Sequence, residues 1–153
     1  MVAYLSGPIE NAHNDGAFWR EEITKWLEIN LNHKVFNPTI ETRNIVEQHD
    51  KNDFRLMKKT NPDEYKNIIR KIIKVDLNAV ADKSDYLIVK WDKSVFRGGG
   101  THGEVTMAYW LGKPVFLINS LPIDDVSSWI FSCSDFMFDN FEDLKKKLKK
   151  LYG

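Results

Sequence analysis

The sequence alternates short apolar segments with longer amphipathic segments, and this alternation constrains the fold more than any other feature. The clearest apolar segment is Tyr86–Trp91, and residues 115–118 form another. Each is short enough for a buried strand, and helical patterns lie between them. Short apolar strands separated by helices are typical of a parallel sheet with helices on both faces. We therefore predict an α/β fold.

The whole chain yields five predicted strands and four predicted helices. The strands cover residues 2–5, 34–37, 86–91, 115–118 and 135–138. A helix capped by Asn14 or Asp15 runs to about residue 30, and its predicted apolar face comprises Phe18, Ile23, Trp26, Leu27 and Ile29. Further helices are predicted over residues 67–82, about 101–111 and 141–151. A single doubly wound, mainly parallel five-stranded sheet of the flavodoxin or Rossmann-like kind accommodates them all.

The stretch from about residue 40 to residue 66 interrupts this pattern, because it is polar and poorly periodic. Two interpretations are open: a surface excursion, or a mobile flap over a ligand. Neither a repeat nor a composition shift indicates a second domain. Residues 1–153 are therefore predicted to form one domain that carries this insert.

Composition argues against several classes of function. Lys and Arg total 22, as do Asp and Glu, so the formal net charge is zero and binding to a nucleic acid polymer is not expected. No run approaches the roughly 18 apolar residues of a membrane helix, so no membrane association is predicted. The single cysteine, Cys133, cannot form an internal disulfide, which favours the reducing cytoplasm. The histidines lack metal-ligand spacing, and we expect neither a metal nor a cofactor.

Glu104 lies where this kind of fold places its ligands, beyond the carboxyl ends of the strands. It follows Gly98-Gly99-Gly100 and Thr101, and glycine backbone lets a ligand approach closely. Thr101 and Glu104 also match a capping box, in which the glutamate only reaches back to a backbone N–H. The functional alternative is a carboxylate kept ionised by the helix macrodipole, as a nucleophile on a sugar carbon must be.

Four further residues have both a functional and a structural interpretation. Asp76 falls in the apolar stripe of a predicted helix, where it either caps a neighbouring loop or points into the ligand site. Asp92 follows the clearest strand, either as a turn residue or as a site residue. Trp91 either stacks on a planar base or packs in the core. His102 either contacts the ligand or lies at the surface.

These segments together resemble the nucleoside 2-deoxyribosyltransferase family and its relatives, the nucleoside 5'-monophosphate N-glycosidases. The resemblance lies in YLSGP at residues 4–8, VDLNAVADKSD at 75–85, GGTHGE at 99–104, Ala108, and GKPV at 112–115. It covers roughly residues 2–118 apart from the insert. It implies an enzyme that cleaves the N-glycosidic bond of a (deoxy)nucleoside and passes the sugar to another free nucleobase or to water.

The resemblance implies roles for individual residues. Glu104 matches the nucleophile that forms a covalent glycosyl intermediate, and Tyr4 matches a tyrosine that orients it. Asp76 and Asp92 match aspartates that protonate or hold the leaving base. The substrate-binding residues predicted from the segments and the resemblance together are Ser6, Gly7, Pro8, Trp91, Gly99, Gly100, Thr101, His102 and Asp124.

The group that holds the 5' end of the sugar decides the subclass. Ser6 and Ser94 match serines that contact a 5'-phosphate in the N-glycosidases. Asp124 matches a residue that a neighbouring subunit supplies to the 5'-hydroxyl in the transferases, and a carboxylate repels a phosphate dianion. The prediction therefore favours nucleosides and a homo-oligomer with shared active sites. A non-catalytic nucleotide-binding sensor on the same fold is the alternative outside enzymes.

Overall fold

Five parallel strands form one sheet in the computed structural model, which describes residues 1–9, 13–47 and 51–153. The strands are β1 (Val2–Ser6), β2 (Lys34–Phe36), β3 (Tyr86–Trp91), β4 (Val115–Asn119) and β5 (Phe136–Phe138). Their order is β2-β1-β3-β4-β5, and all neighbouring pairs run parallel. The predicted fold class and all five predicted strands are therefore confirmed. The strand order reverses between β1 and β3, and a reversal of this kind opens a crevice at the carboxyl ends of the two strands.

Helices cover both faces of the sheet. Among the described residues they are α1 (Ala17–Leu31), α2 (Pro38–Glu41), α3 (Arg43–Val46), α4 (Lys51–Thr60), α5 (Pro62–Asn78), α6 (Gly100–Trp110), α7 (Ser128–Cys133) and α8 (Phe141–Tyr152). A π-helical turn (Ala79–Lys83) continues α5, and a 3₁₀ turn (Lys93–Arg97) follows β3. None of the described helices is long and apolar enough to cross a membrane.

Two hydrophobic clusters lie on opposite faces of the sheet, because successive side chains of a strand point to opposite sides. In β1, Ala3 and Leu5 pack with α1 and α8, whereas Tyr4 faces the cluster that includes Val105 and Ala108 of α6. This alternation places the odd and even residues of β1 in different environments. The even residues face the helix that carries Glu104.

The start of α1 differs from the prediction. The residue that precedes the helix is Gly16, with φ of 68° and no side-chain cap, so the predicted cap at Asn14 or Asp15 is wrong. The predicted apolar face is wrong at Phe18 and Ile29, which are 69% and 83% exposed. The buried face instead contains residues four apart, Trp19, Ile23 and Leu27, together with the charged Arg20.

The described residues of the polar insert are mainly helical. They comprise the end of α2, all of α3 and α4, and the first turn of α5. The helix predicted from residue 67 begins at Pro62, because the side chain of Asn61 caps it and proline is favourable in the first turn. The rings of Phe54 and Tyr65 pack α4 on α5 with centroids 5.2 Å apart. Residues 48–50 of the insert, like residues 10–12 of the first loop, lie outside the described residues.

Candidate active site

A cavity of about 650 Å³ lies at the carboxyl ends of β1 and β3. One wall is the loop after β1 and the Gly-rich start of α6, and the other wall is α4 and α5. The cavity therefore occupies the crevice where the strand order reverses, which is the usual ligand site of such sheets.

Glu104 lies at the wall of this cavity and is only 8% exposed. The hydroxyl of Tyr4 donates to its Oε1 atom over 2.9 Å, and the hydroxyl of Ser6 donates to its Oε2 atom. Tyr4 and Ser6 are two apart on β1, so both side chains point to the face that α6 covers. Both carboxylate oxygens of Glu104 are thus held by hydroxyls from one strand.

The capping-box alternative for Glu104 is wrong. The residue that caps α6 is Gly99, which makes no side-chain cap, and Thr101 lies inside the helix. Glu104 is the fifth residue of α6, beyond the first turn in which the macrodipole acts strongly. The hydroxyls of Tyr4 and Ser6 therefore do more to orient and stabilise the carboxylate than the helix terminus does.

The protonation of Glu104 reflects opposing influences. Burial raises its pKa above the usual range, while the hydrogen bonds from Ser6 and Tyr4 and the charge of Arg20 lower it. Burial, with the charge of Glu104 adding to it, also raises the pKa of the Tyr4 hydroxyl, so this group remains a donor at neutral pH. Two donated hydrogen bonds favour the ionised form of Glu104.

Asp76 lies at the same cavity, on α5. Burial, and secondarily the charge of Glu104, raise its pKa to about 7, while Arg20 lowers it. Its Oδ1 atom is buried without a hydrogen-bond partner among the described residues. When Glu104 and Asp76 hold one proton between them, the proton therefore resides on Asp76. The reason is that the hydroxyls of Tyr4 and Ser6 stabilise the anionic form of Glu104.

The apolar stripe around Asp76 faces the cavity. Ile69, Ile72 and Ile73 line it together with Asp76, and Ile73 is 48% exposed. A stripe that looks like a core-facing surface in the sequence is therefore the wall of a binding cavity.

Several other residues predicted to bind substrate also meet at the cavity. Those that line it are Gly7, Pro8, Ser94, Gly99, Gly100 and Thr101. Ser6 lies beside them, fully buried against Glu104. A Cβ atom at Gly7 would lie 3.1 Å from the ring of Trp19 and 3.2 Å from the carbonyl oxygen of Lys90, and the φ of 157° also disfavours other residues, so glycine lets the loop run this close to the sheet without strain.

The structure does not bring four of the predicted residues to the cavity. Asp92 accepts a hydrogen bond from the backbone N–H of Ser94 over 2.8 Å, and its Oδ2 atom lies 3.7 Å from the Nζ atom of Lys90. These contacts agree with the interpretation of Asp92 as a turn residue. Trp91 is 1% exposed in the core and its ring lies edge-on to that of His102, with centroids 4.8 Å apart. Asp124 is exposed in a turn after β4. The predicted roles of these residues stay predictions.

The described residues include no group of three or more His, Cys, Asp or Glu side chains arranged to hold a metal ion.

No family model matches the sequence, and no curated protein sequence matches it either. Solved structures do match. A 2-deoxyribosyltransferase from Bacillus psychrosaccharolyticus superposes with a TM-score of 0.62 at 20% identity, over 95% of this chain and 90% of that one.

Two further structures match over nearly the whole of both chains. A CMP N-glycosidase from Clostridium botulinum has a TM-score of 0.54 at 16% identity, over 97% of this chain and 98% of that one. A 2-deoxyribosyltransferase from Leishmania mexicana has a TM-score of 0.56 at 15% identity, over 97% of each chain. The chain has the 2-deoxyribosyltransferase fold.

The sequence pattern missed four residues that the structure places at or beside the site. Phe54, Arg55 and Tyr65 belong to the insert and line the cavity. Arg20 is fully buried behind the first loop. Its sequence signal is its spacing, because it lies three residues before Ile23 and seven before Leu27 on the buried side of α1.

Proposed function

We propose that the chain cleaves the N-glycosidic bond of a (deoxy)nucleoside through a covalent glycosyl intermediate on Glu104. The observation that carries this proposal is a buried carboxylate at a cavity, with both oxygens bound by the hydroxyls of Tyr4 and Ser6. Asp76 shares the cavity and has a pKa of about 7. An ionised nucleophile and a protonated acid at one cavity are the pair that a retaining displacement at a sugar carbon needs.

The two carboxyl groups divide the chemistry. In the first step, an oxygen of Glu104 attacks the anomeric carbon, the bond to the base breaks, and its electron pair moves to the departing nitrogen. Asp76 donates a proton to that base. In the second step, a nitrogen of another base, or a water oxygen, attacks the same carbon and expels the Glu104 carboxylate. The attacking group releases its proton to Asp76, which restores the starting state.

The walls of the cavity suit the two halves of a nucleoside. Phe54, Tyr65 and Ile69 give one wall aromatic and apolar surface, against which we place the planar base. Gly7 and Gly100 also line the cavity, and we place the sugar beside them. A Cβ atom at Gly100 would meet no protein atom within 4 Å, so the space beside this backbone is open to a ligand.

Replacement of Glu104 tests the proposal. We expect Glu104→Ala to reduce base release by at least about a thousandfold, because among the described residues no other carboxylate is held by the hydroxyls of Tyr4 and Ser6. Glu22→Ala, on the exposed side of α1, is the matched control. Each variant is incubated with deoxynucleosides, with and without a second free base, and the products are separated by chromatography. Wild-type activity in Glu104→Ala, with the fold retained by circular dichroism, contradicts the mechanism.

The same chromatogram separates the classes of function. A new nucleoside indicates a transferase, and free base alone indicates a hydrolase. The sensor alternative predicts no base release from any nucleoside or nucleotide, together with an increase in melting temperature when one of them binds.

A nucleoside 5'-monophosphate N-glycosidase is the second candidate, because Arg55 and Ser94 line the cavity and both can bind a phosphate. To decide between the two candidates, kcat/KM for a deoxynucleoside is compared with kcat/KM for its 5'-monophosphate. Faster turnover of the monophosphate, reduced selectively in Arg55→Met, favours this candidate. Equal or faster turnover of the nucleoside favours the first.

A homo-oligomer remains part of the proposal. Exposed aromatic side chains lie on α6 and α7, namely Tyr109, Trp110, Trp129 and Phe131. We place a second copy of the chain against this surface. The exposed turn that contains Asp124, just before α7, then lies near that copy. Light scattering tests this, and a fully active monomer contradicts it. The cytoplasmic location inferred from the single cysteine stays a prediction.

A further inference from the structure

Arg20 makes an unusual set of contacts for a charged residue. It is 0% exposed, and its guanidinium donates to the carbonyl oxygens of Gly7 over 2.9 Å and Gly16 over 3.0 Å. Its Nε atom lies 3.4 Å from the carbonyl oxygen of Leu5. These carbonyls belong to the end of β1 and to both described ends of the first loop. Arg20 therefore ties the loop to the strand that carries Tyr4 and Ser6.

The backbone around Arg20 is shaped to receive it. Gly16 has φ of 68°, a conformation that costs other residues about 1 kcal/mol or more. A Cβ atom there would overlap the Nη1 atom of Arg20 and lie 2.9 Å from the carbonyl oxygen of Pro8. The guanidinium also lies over the ring of Trp19, 4.6 Å from its centroid. A lysine at position 20 cannot make this forked set of contacts.

The charge of Arg20 acts on the acids of the site. Burial lowers the pKa of Arg20 to about 10, which still leaves it charged at neutral pH. Glu104 from α6, Asp76 from α5 and the Tyr4 hydroxyl from β1 each interact with this charge, and Arg20 lowers the pKa of all three. Its positive charge thus opposes the burial that favours the neutral forms of Glu104 and Asp76.

We propose that Arg20 is a positioning residue that holds the two described ends of the first loop, Gly7 and Gly16, and whose positive charge adds to the hydroxyls of Tyr4 and Ser6 in keeping Glu104 ionised in its buried place. The proposal rests on the proposed function, in which Glu104 is the nucleophile. Arg20 acts through the loop and through Glu104, and it lies behind the cavity wall rather than in the cavity.

Two replacements separate the loop contacts from the charge. Arg20→Met removes both, whereas Arg20→Lys keeps the charge and loses the fork. Arg70→Met, at an exposed position of α5, is the control. The carboxyl groups of Glu104 and Asp76 are titrated by carbon-13 NMR, and base release is measured as a function of pH.

We expect the pKa of Glu104 to rise in Arg20→Met, and the acid limb of the rate profile to move upward with it, because the charge that lowers this pKa is lost. Arg20→Lys should keep the wild-type pKa and lose about tenfold or more in kcat, because the loop is no longer held. Unchanged carboxyl titrations in a folded Arg20→Met chain overturn the electrostatic part. Wild-type kcat and KM in Arg20→Lys overturn the positioning part, even when Arg20→Met fails to fold.

The titration requires no turnover. A rise in the Glu104 pKa in a chain that releases no base therefore supports the electrostatic role of Arg20 while it overturns the proposed function.

Discussion

The hydroxyl of Tyr4, on β1, lies 2.9 Å from a carboxylate oxygen of Glu104, on α6, although the two residues are 100 positions apart in the sequence. Both are buried, and Ser6 completes the arrangement from the same strand. A central strand and a helix start thus fix one carboxylate at the edge of an open cavity. The orientation of Glu104 is therefore set by hydrogen bonds from the sheet.

Removal of the Tyr4 hydroxyl should slow the reaction without unfolding the chain. We expect Tyr4→Phe to lose about 10- to 100-fold in kcat, because a hydrogen bond to an ionised group contributes roughly 1.5–3 kcal/mol. The acid limb of the pH profile should also move upward, since this bond lowers the pKa of Glu104. Tyr109→Phe, at an exposed position, is the control. A variant with wild-type kcat and pH profile contradicts this role.

Asp76 should give the reaction an upper pH limit. Its pKa of about 7 means that the proton donor is lost as the pH rises above 7, so base release should fall about tenfold per unit at high pH. Asp76→Asn should lower the rate and abolish this limb. The loss should be smaller for a 7-methylated purine nucleoside, whose cationic base leaves without protonation. Equal losses for both substrates, or a retained limb, argue against Asp76 as the acid.

The same group should link stability to pH. The pKa of Asp76 is raised from 3.8 to about 7 on folding, so its contribution to stability is fully present below about pH 4 and is lost as the pH rises through 7. Asp76→Asn carries no charge to bury at any pH. The melting temperature of the variant minus that of the wild type should therefore increase from pH 4 to pH 8. The exposed replacement Asp82→Asn should show no such trend.

The aromatic wall of the insert should act on binding rather than on the chemical step. We expect Phe54→Ala and Tyr65→Ala each to raise KM by about tenfold and to leave kcat within a few-fold, because stacking on the base is made in the ground state as well. Phe18→Ala, at an exposed position of α1, is the control for loss of an aromatic ring. Steady-state kinetics with a purine and a pyrimidine nucleoside check this. A loss confined to kcat contradicts the placement of the base.

Replacement of Asp92 distinguishes the turn from the active site. Asparagine can still accept the backbone N–H of Ser94, so we expect Asp92→Asn to keep the wild-type kcat within about threefold. Asp92→Ala should lose about 1 kcal/mol of unfolding free energy, measured by urea denaturation. A loss of activity in Asp92→Asn as large as that in Asp76→Asn supports the catalytic role that the sequence suggests for Asp92.

The periodicity of the sequence was sufficient for the sheet and for four of the eight described helices, namely α1, α5, α6 and α8. A buried parallel strand needs a nearly continuous run of apolar side chains. The run Tyr86–Trp91 can be recognised as such from the local sequence alone. The insert was harder, because its polar composition hides amphipathic helices whose apolar sides line a cavity instead of a core. The predicted apolar face of α1 is wrong at Phe18, which is exposed, whereas Arg20 is buried. Periodicity alone does not reveal that a charged residue such as Arg20 is buried.

The sequence by itself determined the α/β class, the five strands and the set of acids from which the site is built. Only the tertiary structure decided which acids meet. Glu104 and Asp76 reach one cavity because the sheet order brings β1 between β2 and β3 and lays α5 and α6 on the same face. Asp92 follows the neighbouring strand and bonds to its own turn instead. Contacts between distant segments depend on strand order and on the direction of each side chain, and neither can be derived from the local periodicity of the sequence.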